Sequence, residues 1–83
     1  MLQWIGNAGA GPRLGMAVSK RAAGNAVKRN RVRRLIRESF RLRRAELPAV
    51  DILVTARAGA GLASNAEIFT SLGRLWQEIP GPE

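Results

Sequence analysis

Three features of the sequence predict an α+β domain with its elements in the order β-β-α-β-α. Two stretches, 13–19 and 51–57, alternate their side chains as half-buried strands do. A proline-free segment, 24–44, combines nine Lys or Arg residues with apolar residues at helical spacing. Residues 64–79 read as a capped amphipathic helix. With 83 residues, 46% of them hydrophobic, the chain is one domain, 1–83, that can build a core but is marginal on its own.

The first element is the apolar run "MLQWI" (1–5), read as a short strand. "GNAGAGP" (6–12) is a turn-rich connection, and the strands it joins suggest an antiparallel pair. In "RLGMAVS", Leu14, Met16 and Val18 share one face, with Arg13, Gly15, Ala17 and Ser19 on the other. "KRAAG" (20–24) leads into the basic segment, whose Arg and Leu content favours helix and which must end before Pro48. In "DILVTAR", Ile52, Val54 and Ala56 oppose Leu53, Thr55 and Arg57. A Gly/Ala loop (58–63) reads as a flexible turn. Beyond it, Ser64 and Glu67 have capping-box spacing, ahead of Ile68, Leu72, Leu75, Trp76 and Ile79.

Composition narrows the function classes. The chain has no Cys and no His, which removes disulfides, thiolate metal sites and the usual imidazole acid–base group. No apolar run reaches the roughly 18–20 residues that cross a bilayer. The N-terminus has no positive region ahead of an apolar segment, so the cytoplasm is the default location. A net charge of +8 and a pI near 11.9 point to a polyanionic partner, nucleic acid first, with an anionic membrane surface open on charge alone. The six acids are scattered and form no paired-carboxylate pattern for a nuclease. "GAGLAS" (59–64) has Ser64 at its sixth position and lacks the acidic partner of a dinucleotide loop, so it reads as a flexible turn.

The basic segment carries the functional signal. At 3.6 residues per turn, Val32, Leu35, Ile36 and Phe40 form a stripe that packs on the sheet. Asn30, Arg33, Arg34, Arg37, Arg41 and Arg44 form a second stripe away from it, flanked by Arg29 and Arg31 and preceded by Lys28. A face built only for solubility would mix signs and use Lys freely, yet eight of the nine cations are Arg. Arginine presents a planar fork that matches phosphate oxygens and stacks on bases. Such self-repulsion is relieved by a polyanion, so the helix is read as binding RNA or DNA mainly through phosphates.

"RLGMAVSK" followed by "GNAVKRNRVRRLIRESFR" resembles the protein subunit of bacterial ribonuclease P, with its Arg-Asn-Arg motif at Arg29-Asn30-Arg31. "VDILVTAR" and the final helix agree, so the resemblance runs from about Leu2 to Ile79. It implies a two-layer α+β sandwich, the Arg-rich helix on a small mixed sheet, with a left-handed strand–helix–strand crossover. It also implies an accessory role: a catalytic RNA removes the 5′ leader of precursor tRNA, with Mg²⁺ in the RNA–protein complex. By this resemblance Arg29, Asn30, Arg31, Arg33, Arg34 and Arg37 contact the RNA, with Lys20 and Arg21 nearby. The protein holds the leader in a cleft, and no catalytic residue is expected in the chain itself. Family members usually carry an N-terminal helix and a first strand that this chain lacks. Trp4 is the candidate cleft aromatic, with a core or edge role as the alternative. The competing reading of the whole chain is a generic basic RNA- or DNA-binding module, such as a ribosome-associated protein.

Overall fold

In the computed structural model, which describes residues 1–80, Leu2–Gly6 forms β1 and Arg13–Ala17 forms β2. Lys20–Ala23 is a short helix, α1, and Ala26–Arg43 the long helix α2. Val50–Thr55 is β3 and Asn65–Gln77 is α3, with 3-10 turns at Arg44–Glu46 and Ala60–Leu62. The order is therefore the expected one, with an extra short helix ahead of the basic one.

β3 takes the centre of a three-stranded mixed sheet, in the order β1-β3-β2. β1 runs antiparallel to it, Trp4 opposite Ile52, and β2 runs parallel, Leu14 also opposite Ile52. The expected antiparallel pairing of the first two strands is thus incorrect: they lie on opposite sides of β3. The reason lies in the chemistry of the strands. β3 buries Val50, Ile52 and Val54, whereas no residue of β1 or β2 is fully buried, so β3 takes the best-covered, central place with a neighbour on each edge. The 6–12 loop crosses the end of β3 with Ala8, Gly9 and Gly11 at positive φ, conformations that glycine adopts freely. Asn7 holds it, donating from Nδ2 to the Gly11 carbonyl at 2.6 Å and accepting from the Ala10 N–H at 3.1 Å.

One sheet face, built from Leu2, Leu14, Met16, Val50, Ile52 and Val54, packs against both long helices and makes two layers. Val32, Leu35 and Ile36 from α2 and Ile68, Leu72 and Trp76 from α3 complete the core. The opposite face is open, with Ile5 and Leu53 exposed. Phe40 was expected on the sheet; it is half-buried instead and meets Trp76 of α3 edge to face, ring centroids 6.0 Å apart. α2 thus divides its apolar stripe between β2 and α3.

The basic segment is not one helix from residue 24. Ser19 caps α1 by accepting from the Ala22 N–H, and α1 stops at Gly24, whose φ of 97° only glycine adopts without strain. Asn25 then caps α2, its Oδ1 accepting from the Lys28 N–H at 2.9 Å. At the other end, both halves of the Ser64–Glu67 capping box form.

Asp51 ties three segments together. It accepts two hydrogen bonds from Arg13, at 2.6 and 2.9 Å, and one from Asn7 Nδ2 at 3.1 Å. The Arg13 hydrogen bonds, then that from Asn7, hold its carboxyl below the ordinary aspartate value. A depressed carboxyl contributes stability that is present above the unfolded-state pKa, about 3.9, and lost as pH falls through the folded value. The stability gap between wild type and Asp51→Asn is therefore expected to narrow as pH drops from 7 to below about 4. Urea unfolding across that range checks it; a gap that stays constant would mean ionised Asp51 is not what Arg13 and Asn7 hold.

Candidate nucleic-acid interface

The interface is built on α2 and the short helix before it. Asn30, Arg34, Arg37, Arg41 and Arg44 are exposed, while Arg33 sits half-buried at the border of the apolar stripe. Glu38, the only acid of α2, pairs with Arg41 at 2.9 Å, and Arg43 pairs with Glu46 at 3.6 Å. The Arg41 hydrogen bond lowers the Glu38 carboxyl below the ordinary glutamate value. Among the described residues, Lys28, Arg33, Arg34, Arg37 and Arg44 have no ion-pair partner. Lys20 and Arg21 are exposed on α1 and likewise unpaired.

The backbone adds to this potential. The first turn of α2 has no acid and holds Lys28 and Arg29 at the positive end of the helix dipole. That placement is unfavourable for the free helix and favourable for an anion beside it. Arg29 is half-buried, and its Nε is shut off from solvent with no protein acceptor. A desolvated, unpartnered N–H is costly, so the first turn carries unfavourable terms from both charge and burial.

The Arg-Asn-Arg motif splits between two environments. Asn30 points to solvent within the cationic stripe, as its spacing predicted. Arg31 turns inward: Nη1 donates to Asn65 Oδ1 at 2.6 Å, and Nη2 to the carbonyls of Gly61 and Ala63 at 2.9 and 3.0 Å. Neither these partners nor the closeness of Gly61 to α1 was visible in the sequence. A side chain on Gly61 would overlap the carbonyl of Ala23, so the 58–63 segment is a packed turn rather than the flexible one expected. Only the glycine content signalled it.

Trp4 lies apart from this surface. It is 42% exposed, on edge strand β1, two strands from β2, against which α2 packs. A shallow concavity of about 440 Å³ on the sheet is lined by Trp4, Ile5, Leu14, Gly15 and Leu53 among others. Trp4 sits on the outer strand β1, whereas α2 packs over β2 on the other side of β3. Among the described residues no cluster of three or more His, Cys, Asp or Glu comes together. No described helix is long and apolar enough to cross a membrane.

Fold and charge together define a small, strongly basic α+β domain whose longest helix presents arginines without ion-pair partners, among the described residues, beside a mixed sheet. The family model described as Ribonuclease P matches residues 1–80, and the chain belongs to that family. The ribonuclease P protein component of Vibrio cholerae is 48% identical over 71 residues, covering 86% of this chain and 60% of the relative. That of Pseudomonas putida is 43% identical over 68 residues, covering 82% and 51%. The chain thus spans between about half and three-fifths of the length of these relatives. Among solved structures, the RNase P protein of Staphylococcus aureus superposes with a TM-score of 0.85 at 36% identity, covering 93% of this chain and 71% of its own. The Thermotoga maritima protein gives 0.80 at 28% identity, with coverages of 96% and 76%.

Proposed function

We propose that this chain is the RNA-binding protein part of a ribonuclease P, assisting a catalytic RNA in the endonucleolytic removal of the 5′ leader from precursor tRNA. The observation that carries this reading is the cationic face of α2, where Arg34 and Arg37 stand exposed and unpaired among the described residues beside Asn30. Its partners are ribonuclease P RNA and the precursor tRNA leader, in the cytoplasm. Arg29, Asn30, Arg33, Arg34, Arg37 and Arg41 engage the RNA on α2, supported by Lys28 and by Lys20 and Arg21 on α1. Trp4 on the sheet edge is the candidate for stacking on a leader base. Chemistry and Mg²⁺ reside in the RNA–protein complex, and the protein supplies positioning and charge neutralisation.

The test is reconstitution at low Mg²⁺ with a bacterial ribonuclease P RNA, following precursor-tRNA cleavage against RNA-only and protein-only controls. Stimulation over RNA alone is expected. Failure to stimulate, with equal affinity for unrelated RNA, would leave a generic basic module. The salt dependence of binding tests the residues. Each phosphate neutralised contributes a slope of about −0.7 to −0.9 in log K against log salt. Arg34→Ala with Arg37→Ala is expected to flatten that slope by about two phosphates' worth. An unchanged slope would place both side chains outside the interface.

A further inference from the structure

Arg31 occupies the second Arg of the Arg-Asn-Arg motif, yet its guanidinium is engaged within the protein. Of its five N–H donors, three point to Asn65 Oδ1, the Gly61 carbonyl and the Ala63 carbonyl, at 2.6, 2.9 and 3.0 Å. A guanidinium grips a phosphate bidentately through Nη1 with Nη2, or through Nε with Nη2. Both forks need Nη2, which already donates to two carbonyls. Arg31 is half-buried, consistent with that engagement.

The acceptors matter as much as the donor. Gly61 belongs to the Ala60–Leu62 turn, and Ala63 and Asn65 flank the N-cap of α3. Gly61 also lies flush on the Ala23 carbonyl of α1, where no side chain fits. A continuous path therefore runs from α2 through Arg31 to the turn, and from the turn to α1. At its two ends stand separate cation groups: Lys20 and Arg21 on α1, and Arg34, Arg37 and Arg41 on α2.

We propose that Arg31 is a positioning residue. It fixes the spacing of the two cation groups, so that together they match phosphates held at a set distance by a folded RNA. This inference rests on the RNA-binding reading above and deepens it. It departs from the expectation that Arg31 itself contacts RNA. A flexible single strand adapts to either spacing; a folded RNA does not. Arg31 accordingly governs selectivity between the two rather than affinity for phosphate as such.

Arg31→Lys keeps the charge and removes the fork. Binding to ribonuclease P RNA is expected to weaken about tenfold, a shift within the range of coupled contacts, while binding to single-stranded polyuridylate changes less than about twofold. Asn65→Ala, which removes one acceptor, should give a smaller loss of the same kind, and the double variant should be no worse than Arg31→Lys. Ile79→Val, a core change just past the end of α3, should lower stability and leave the RNA preference unchanged. If Arg31→Lys binds both RNAs as wild type does, its fork positions nothing, and if it loses affinity for both equally, Arg31 is a phosphate contact; either result overturns the inference.

A second measurement needs no RNA. The chain has no cysteine, so spin labels at Arg21→Cys and Arg34→Cys report the distance between α1 and α2 in the free protein. Arg31→Lys is expected to broaden a narrow distance distribution. An equally narrow distribution would overturn the inference whatever the RNA preference. A wild-type chain that binds both RNAs alike, with the broadening present, would instead overturn the proposed function.

Discussion

Gly61→Ala is expected to destabilise the domain by about 3 kcal/mol or more, above the usual range for a single added methyl. The new Cβ would overlap the Ala23 carbonyl oxygen, lie 2.7 Å from its carbon and 3.0 Å from Ala23 Cα. These are backbone atoms of α1, whose Ala22 is buried, as is Val18 just ahead of the helix. No rotamer change relieves the overlap, so the turn must move off α1. For a domain of this size about 3 kcal/mol corresponds to a fall of roughly 12–24 °C in melting temperature.

Gly59, two residues earlier, supplies the comparison. Its φ is +88° and an added Cβ there meets nothing within 4 Å. Gly59→Ala therefore meets only the left-handed backbone penalty, about 1–2 kcal/mol. Thermal unfolding of the two variants side by side separates space from backbone conformation. Equal losses would mean that the turn does not sit against α1 as described. Because the displaced turn also carries two of the acceptors of Arg31, Gly61→Ala should loosen the path between α1 and α2 as well.

How far the sequence foretells these features depends on the range of the interaction. The Ser64–Glu67 box spans three residues, and its donors and acceptors are all local, so spacing alone located it. The strands 13–19 and 51–57 were legible because one buried face imposes a period of two, and Ile52 and Val54 are indeed buried. Strand pairing was not legible: β1 and β2 are joined by a short loop, but each pairs with β3, the strand with the most buried residues. The break at Gly24 and the Asn25 cap are both of residue types that favour those positions. For the interface, helical phase identified the exposed row of Asn30, Arg34 and Arg37. It could not tell that Arg31, on the flank, reaches a turn thirty residues later in the chain. Nor can a sequence distinguish a glycine needed for its φ, such as Gly59, from one needed for its missing side chain, such as Gly61.

Trp76→Ala is expected to be comparably damaging, about 3–5 kcal/mol for a buried tryptophan, which is a large share of the total stability of a domain this small. Trp76 is 2% exposed and joins α3 to α2 in two ways, through the edge contact with Phe40 and through Nε1–H donating to Ser39 Oγ at 2.7 Å. Ser39 is itself buried, the one buried polar residue among those described. Each partner is thus the answer to the desolvation of the other. Ser39→Ala leaves the indole N–H without an acceptor, and Trp76→Phe leaves the hydroxyl without its donor, each costing about 1–3 kcal/mol through the unmet group. Combining them removes both unmet groups together. The double variant Trp76→Phe, Ser39→Ala should accordingly be more stable than the sum of the single losses, by about 1–2 kcal/mol. Urea unfolding followed by far-UV circular dichroism measures all four proteins on one scale, independent of the exposed Trp4. Strict additivity would mean that the 2.7 Å hydrogen bond contributes nothing beyond packing, and that α2 and α3 are held together by the apolar contacts of Phe40, Leu72 and their neighbours alone.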